Sequence, residues 1–184
     1  MGSPPTPPTP STPPTLAASD GGDRRQPRAE QLRARGAWLR AALVTVLVVV
    51  LDQLSKRAVE RSIVPGEERS LLPGVQLVDT HNHGVAFGFL PGDQLLVTIL
   101  IALALIALLS YFSLHATQPL MWLPTGMLTG GALGNILDRV RHGSVTDFLK
   151  LPLGWPPFNL ADASITLGVV VLFLVIDHAR HARS

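Results

Sequence analysis

GGALGNILDRVRHGSVTDFLKLPLGWPPFNLADASI, residues 130–165, lies between two apolar segments yet carries its polar side chains at helical spacing. Asn135, Asp138 and Arg139 fall at i, i+3 and i+4 and share one helix face. Asn159 and Asp162 repeat the i, i+3 arrangement at the mouth of the next apolar run. Charged groups at a membrane boundary are expensive to keep, and by default they mark a site with partners. The expected architecture is an all-α integral membrane protein with a polar site where its helices meet one face of the bilayer.

Working outward, four apolar segments accommodate four transmembrane helices. The first spans about residues 38–58, around the unbroken core AALVTVLVVVL at 41–51. DQLSKRAVERS follows it, with no small-x-small cleavage site, so an uncleaved helix is expected. The second, about 94–115, contains LLVTILIALALIALL and meets the usual requirement of about 20 apolar residues. The third, about 119–138, carries Gly126, Gly130 and Gly134 four apart, a stripe on which a neighbouring backbone can come close. The fourth, about 160–179, contains LGVVVLFLVI. Ahead of them, SPPTPPTPSTPP at 3–14 has nothing to bury and is expected to stay solvated. This divides the chain into a disordered Pro/Arg-rich cytoplasmic tail, 1–37, and a four-span domain, 38–181.

Two connections are long. Residues 61–93 show β-type alternation in VQLVDT and GVAFGFL, punctuated by Pro-Gly pairs, and predict a small extracytoplasmic β-sheet between helices one and two. Residues 140–159 carry Trp155 and Phe158 beside prolines, a composition suited to the interfacial aromatic belt. Arginines 24, 25, 28, 33, 35 and 40 precede the first span, which places the N-terminus inside. Four spans return the C-terminus to the same side. The end of span one, the end of span three and the start of span four then meet at the outer leaflet, with both long connections.

Composition removes several function classes. The 184-residue chain has a net charge of +2, too little for a nucleic-acid binder held by counterion release. It has no cysteine, so disulfides, thiol nucleophiles and thiolate metal sites are out. Its six histidines include no HExxH-type pair, and neither a metal nor a cofactor is expected.

The polar residues have plain readings as well as chemical ones. Asp52 and Lys56, i and i+4 with the acid first, could be an interfacial ion pair. Asn82 could be a turn residue before Gly84, and Asp138 with Arg139 could close a span with a charge pair. Asp147, in SVTDFL, and Asp162, in FNLADASI, have apolar surroundings instead. Two carboxylates close together in a low-dielectric site cannot both ionise, so one keeps a proton. The ionised one can take a proton from water while the other donates to a carbonyl oxygen, as in aspartic proteases. Fifteen residues of separation leave their proximity open. A small ion- or proton-coupled membrane transporter is the alternative, since intramembrane acids also mark ion pathways; the absence of inverted repeats and the one-sided acids weigh against it. A structural membrane subunit is a third reading.

The blocks DQLSK (52–56), NHGVAFGFL (82–90), GGALGNILDRVRHGSVTDFL (130–149) and FNLADASI (158–165) resemble, in order and spacing, those of the lipoprotein signal peptidases, or signal peptidase II. Val85 departs from the alanine common in that family. The resemblance implies a four-span aspartyl endopeptidase of the bacterial inner membrane. It would remove the signal peptide of prolipoproteins before a diacylglyceryl-modified cysteine, with lipidated prolipoproteins and membrane lipid as partners. It also implies that Asp147 and Asp162 are the catalytic pair. Asp52, Lys56, Asn82, Asn135, Asp138, Arg139 and Asn159 would contact substrate or support the site.

Overall fold

In a computed structural model of the chain, residues 1–2, 25–83, 94–152 and 154–181 are described. The element order is α1 (Arg25–Ser62), β1 (Glu68–Leu72), β2 (Val75–Asn82), α2 (Gln94–His115), α3 (Trp122–His142), β3 (Val145–Lys150) and α4 (Leu160–His181). The Pro-rich segment 3–14 and the strand expected over GVAFGFL, 84–90, lie outside the described residues.

Three of the helices contain stretches long and apolar enough to cross a membrane: Arg28–Ser62, Leu95–His115 and Leu160–His181. Their apolar side chains mostly point outward. Leu43, Val46, Leu47 and Val50 of α1, Ile99, Leu103 and Ile106 of α2, and Val170, Phe173 and Leu174 of α4 are all exposed. In water such a surface would be an aggregation liability; in hydrocarbon it is the expected lipid-facing side.

The third helix is less apolar because neighbouring helices cover it. Its glycine stripe lies against α1: a methyl at Gly126 would come within 2.7 Å of the Ala41 carbonyl oxygen, and one at Gly130 within 2.7 Å of the Val48 Cβ. On another side, a methyl at Gly131 would meet the Ala161 carbonyl oxygen of α4 at 2.5 Å. Thr45 Oγ1 donates to the Gly126 carbonyl across the first contact, and Ser164 Oγ to the Met127 carbonyl across the second. Small residues let the backbones close, as the sequence spacing predicts. The helix ends at Gly143, whose φ of 71° suits glycine and whose N–H caps the Arg139 carbonyl.

The first helix starts at Arg25, earlier than expected from apolarity. AEQLRAR, within it, consists of good helix formers, so propensity carries the helix upstream of the apolar run. At 38 residues it is about 57 Å long by the 1.5 Å rise per residue. That exceeds a hydrocarbon core of about 30 Å.

The sheet is antiparallel in the order β1-β2-β3. Only its first two strands come from the connection between α1 and α2, as expected; the third comes from the connection between α3 and α4. The β2–β3 register sets Thr80 opposite Asp147 and Asn82 opposite Val145. Phe158 then pairs back onto Leu149. Val59, Ile63 and Phe148 form a core cluster that seats the sheet on the end of α1, with Leu77, Leu149 and Leu160 packed around it. A second cluster, including Ala37, Ala41, Phe112, Ala116 and Met121, holds α1, α2 and the start of α3 together.

Candidate active site

Asp147 is a buried residue of β3, and Asp162 lies in the first turn of α4. They border one cavity of about 590 Å³, together with Asn82, Asn135 and Arg139. Separated along the chain, the two carboxyl groups are thus brought to one place by the return of the chain from β3 into α4.

Asn159 connects them. It precedes α4, and its Oδ1 accepts the Asp162 N–H at 2.9 Å while Asp162 Oδ2 accepts the Asn159 N–H at 3.2 Å. This reciprocal pair works as a capping box, satisfying two amides at the helix start and fixing the Asp162 rotamer. The Asn159 amide then donates to Asp147 Oδ1 at 2.7 Å. Asn135, on α3, donates to Asp162 Oδ1 at 2.8 Å, and Asn82, at the end of β2, donates to Asp147 Oδ2 at 3.1 Å. Burial pushes the Asp147 carboxyl up to about 6, the negative charge of Asp162 pushes in the same direction, and the amides of Asn82 and Asn159 oppose both. A carboxyl poised there can hold a proton near neutrality and release it.

Behind the pair lies a second buried cluster. Lys56 Nζ is 2.7 Å from Asp52 Oδ2, 2.7 Å from Asp138 Oδ2 and 3.2 Å from Asn135 Oδ1. Asp52 Oδ1 accepts the Ala161 N–H at 3.0 Å, binding α1 to the start of α4. These three charged residues do not line the cavity, which separates them from Asn82, Asn135 and Arg139, which do.

The structure adds to two expectations. Asp138, which could have closed the span in a charge pair with Arg139, is ion-paired to Lys56 and also lies within electrostatic reach of Arg139. Adjacent residues on a helix point about 100° apart, so neighbours in sequence do not face each other. Arg139 Nη1 donates to the Asn135 carbonyl at 3.3 Å, and the side chain borders the cavity within electrostatic reach of Asp162, Asp147 and Asp138. Trp155 and Phe158, expected as belt residues, are also cavity walls.

Sequence reasoning missed Gln53, whose amide donates to Asp138 Oδ1 at 2.7 Å, and Thr80, whose hydroxyl donates to the Asp147 carbonyl at 2.8 Å. The i, i+2 spacing of Thr80 and Asn82 in a strand was the available signal for the second. The apolar walls Ile101, Leu151, Ile165 and Leu167 carried no signal of their own.

Comparison with known proteins identifies the family. A family model described as signal peptidase (SPase) II matches residues 44–177. A lipoprotein signal peptidase of Syntrophomonas wolfei subsp. wolfei is 43% identical over 142 residues, covering 76% of this chain and 95% of that protein. One of Burkholderia mallei is 36% identical over 176 residues, covering 92% and 96%. A bacterial membrane enzyme structure determined by the in meso method at 2.3 Å resolution superposes with a TM-score of 0.72 at 30% identity, covering 78% of this chain and 91% of that one.

Proposed function

The chain belongs to the signal peptidase II family, and from that premise we propose that Asp147 and Asp162 are the catalytic pair of an aspartyl endopeptidase working at the outer leaflet. It is a bacterial membrane protease that removes the signal peptides of lipoproteins. The observation that carries the residue assignment is the bridging of both carboxyl groups by Asn159 at the edge of a single cavity.

The pair shares one proton. The ionised carboxylate takes a proton from water as the water oxygen bonds to the scissile carbonyl carbon, and the protonated carboxyl gives its proton to the carbonyl oxygen. Collapse of the resulting diol breaks the C–N bond, with a proton passing to the leaving nitrogen. Arg139 and Asn82, at the cavity edge, bind the substrate backbone. Asn135 and Asn159 orient the acids, and Asp52, Lys56 and Asp138 support them from behind. The chemistry needs no cofactor.

Four spans, with α3 as the third, put both termini in the cytoplasm and the sheet outside. Arginine enrichment ahead of the first span supports this orientation. The N-terminal segment 1–37 is then a cytoplasmic tail ahead of a peptidase domain covering 38–181, with α1 running back into the tail.

The substrate is a prolipoprotein whose cysteine already carries diacylglycerol. Two acyl chains anchor firmly, each buried methylene contributing about 0.8 kcal/mol, and confine the scissile bond to the plane of the pair. The apolar walls of the cavity support this reading. The test compares lipidated and unlipidated forms of one precursor in the same detergent. Cleavage confined to the lipidated form is expected; equal cleavage would remove lipid from recognition.

A further inference from the structure

We propose that Lys56, which touches neither the cavity nor the reacting atoms, is a positioning residue that acts through Asn135 to hold Asp162 as the proton-accepting member of the pair. This rests on the reading of Asp147 and Asp162 as the catalytic carboxyls.

The observation is one of hydrogen-bond polarity. A carboxamide can present either its oxygen or its nitrogen, and what faces it decides which. A lysine ammonium has three N–H donors and no acceptor. Lys56 donates to Asp52 and Asn135, at 2.7 and 3.2 Å, with Asp138 Oδ2 ion-paired at 2.7 Å, in a site where its side chain is 3% exposed. The end of Asn135 that faces Lys56 must therefore be Oδ1. Asn159 Nδ2 donates to the same oxygen at 3.2 Å. With Oδ1 committed, Asn135 can offer only its N–H to Asp162, as it does at 2.8 Å.

Asn159 is locked by a similar argument. Its Oδ1 faces the Asp162 backbone N–H, which can only donate, so its amide nitrogen is the end that reaches Asp147. The other Asp162 oxygen accepts a backbone N–H that cannot be reversed. Both Asp162 oxygens thus face donors of fixed polarity. Asp147 accepts from two carboxamides, those of Asn82 and Asn159. Its upward displacement, caused by burial and then by the charge of Asp162, agrees with Asp147 being the member that carries the proton.

Without Lys56, only the Asn159 N–H, at 3.2 Å, still holds the Asn135 oxygen, and the amide turns more readily to present that oxygen to Asp162. That arrangement favours a protonated Asp162, which cannot accept a proton from water. The loss falls on turnover, while substrate binding at the cavity wall is left alone.

A double-mutant cycle on the full chain in detergent, with a lipidated precursor as substrate, tests this. Lys56→Met is expected to lower kcat at least tenfold with KM within twofold, and Asn135→Leu to lower kcat at least tenfold. If Lys56 acts through Asn135, adding Lys56→Met to Asn135→Leu costs less than a further twofold, since there is no amide left to orient. Multiplicative losses would overturn the relay and leave Lys56 a charge acting directly or a structural residue. Should the Lys56 variants not fold, Asn135→Asp decides. It keeps an acceptor for Lys56 but turns an acceptor toward Asp162, so kcat should fall at least tenfold and the acid limb of its pH profile should rise by about one pH unit. An unchanged kcat and profile would overturn the proposal. Loss of activity in Asp147→Asn and Asp162→Asn, alongside multiplicative losses in the cycle, would sink the relay alone; activity in those variants would sink the dyad beneath it.

Discussion

Asp147→Asn should make the protein more stable at neutral pH while making it inactive. The folded state holds this carboxyl at about 6 against an ordinary 3.8. At about 1.4 kcal/mol per tenfold in the ionisation equilibrium, that is about 3 kcal/mol against the charged form. The sign follows from linkage: a group raised in the folded state stabilises fully below its unfolded value, and that contribution is lost as the pH rises through its folded value. Wild type therefore loses about 2.5 kcal/mol between pH 4 and pH 7 through this group. Asparagine has no such loss, but one of its two amide ends faces a donor from Asn82 or Asn159, a mismatch of about 1–2 kcal/mol at every pH. The variant should be less stable than wild type by about 1 kcal/mol at pH 4 and more stable by about 1–2 kcal/mol at pH 7.5. Equilibrium unfolding in detergent at the two pH values, each variant against wild type, measures the crossing. A stability difference that stays constant from pH 4 to 7.5 would refute the claim that burial beside Asp162 raises this carboxyl.

Gly130→Ala should destabilise the protein by about 1–3 kcal/mol, because its methyl meets Val48 at 2.7 Å and α1 must move. Gly36→Ala, with nothing within 4 Å, should stabilise it by up to about 1 kcal/mol through helix propensity; unfolding midpoints compare the two. Asp138→Asn should cost about 3 kcal/mol of stability, at the low end for a broken buried pair because Lys56 keeps Asp52, while kcat in the folded fraction falls less than tenfold. A reporter active only outside the cytoplasm should be silent when fused at Ser184 and active near residue 75; the reverse pattern would place the site at the inner leaflet.

Local sequence patterns carry much of the site's arrangement. The i, i+3 spacing of Asn159 and Asp162 is the footprint of the reciprocal cap that aims the second acid. The spacing of Gly126 and Gly130 anticipates the close approach of α1. What stayed hidden depends on contacts distant in sequence. Strand β3 joins a sheet whose other strands lie before α2, and no alternation within VTDFLK says which edge it will pair with. Asp138 has a basic neighbour at Arg139, and nothing local shows that it also pairs with Lys56, 82 positions earlier. The Arg-rich stretch after residue 24 read as tail because it lacks apolar residues, whereas helix formation depends there on backbone propensity. The cavity walls could not be told from lipid-facing residues, since both are simply apolar.

Mass spectrometry of a diacylglyceryl-modified precursor, incubated with purified wild type, Asp147→Asn and Asp162→Asn, bears most directly on the pair. Wild type should release the signal peptide with the new N-terminus at the lipidated cysteine. Both variants, still folded, should leave the precursor intact, because asparagine keeps the shape of the side chain and cannot exchange the shared proton. Near-normal cleavage by either folded variant would contradict the assignment of catalysis to Asp147 and Asp162.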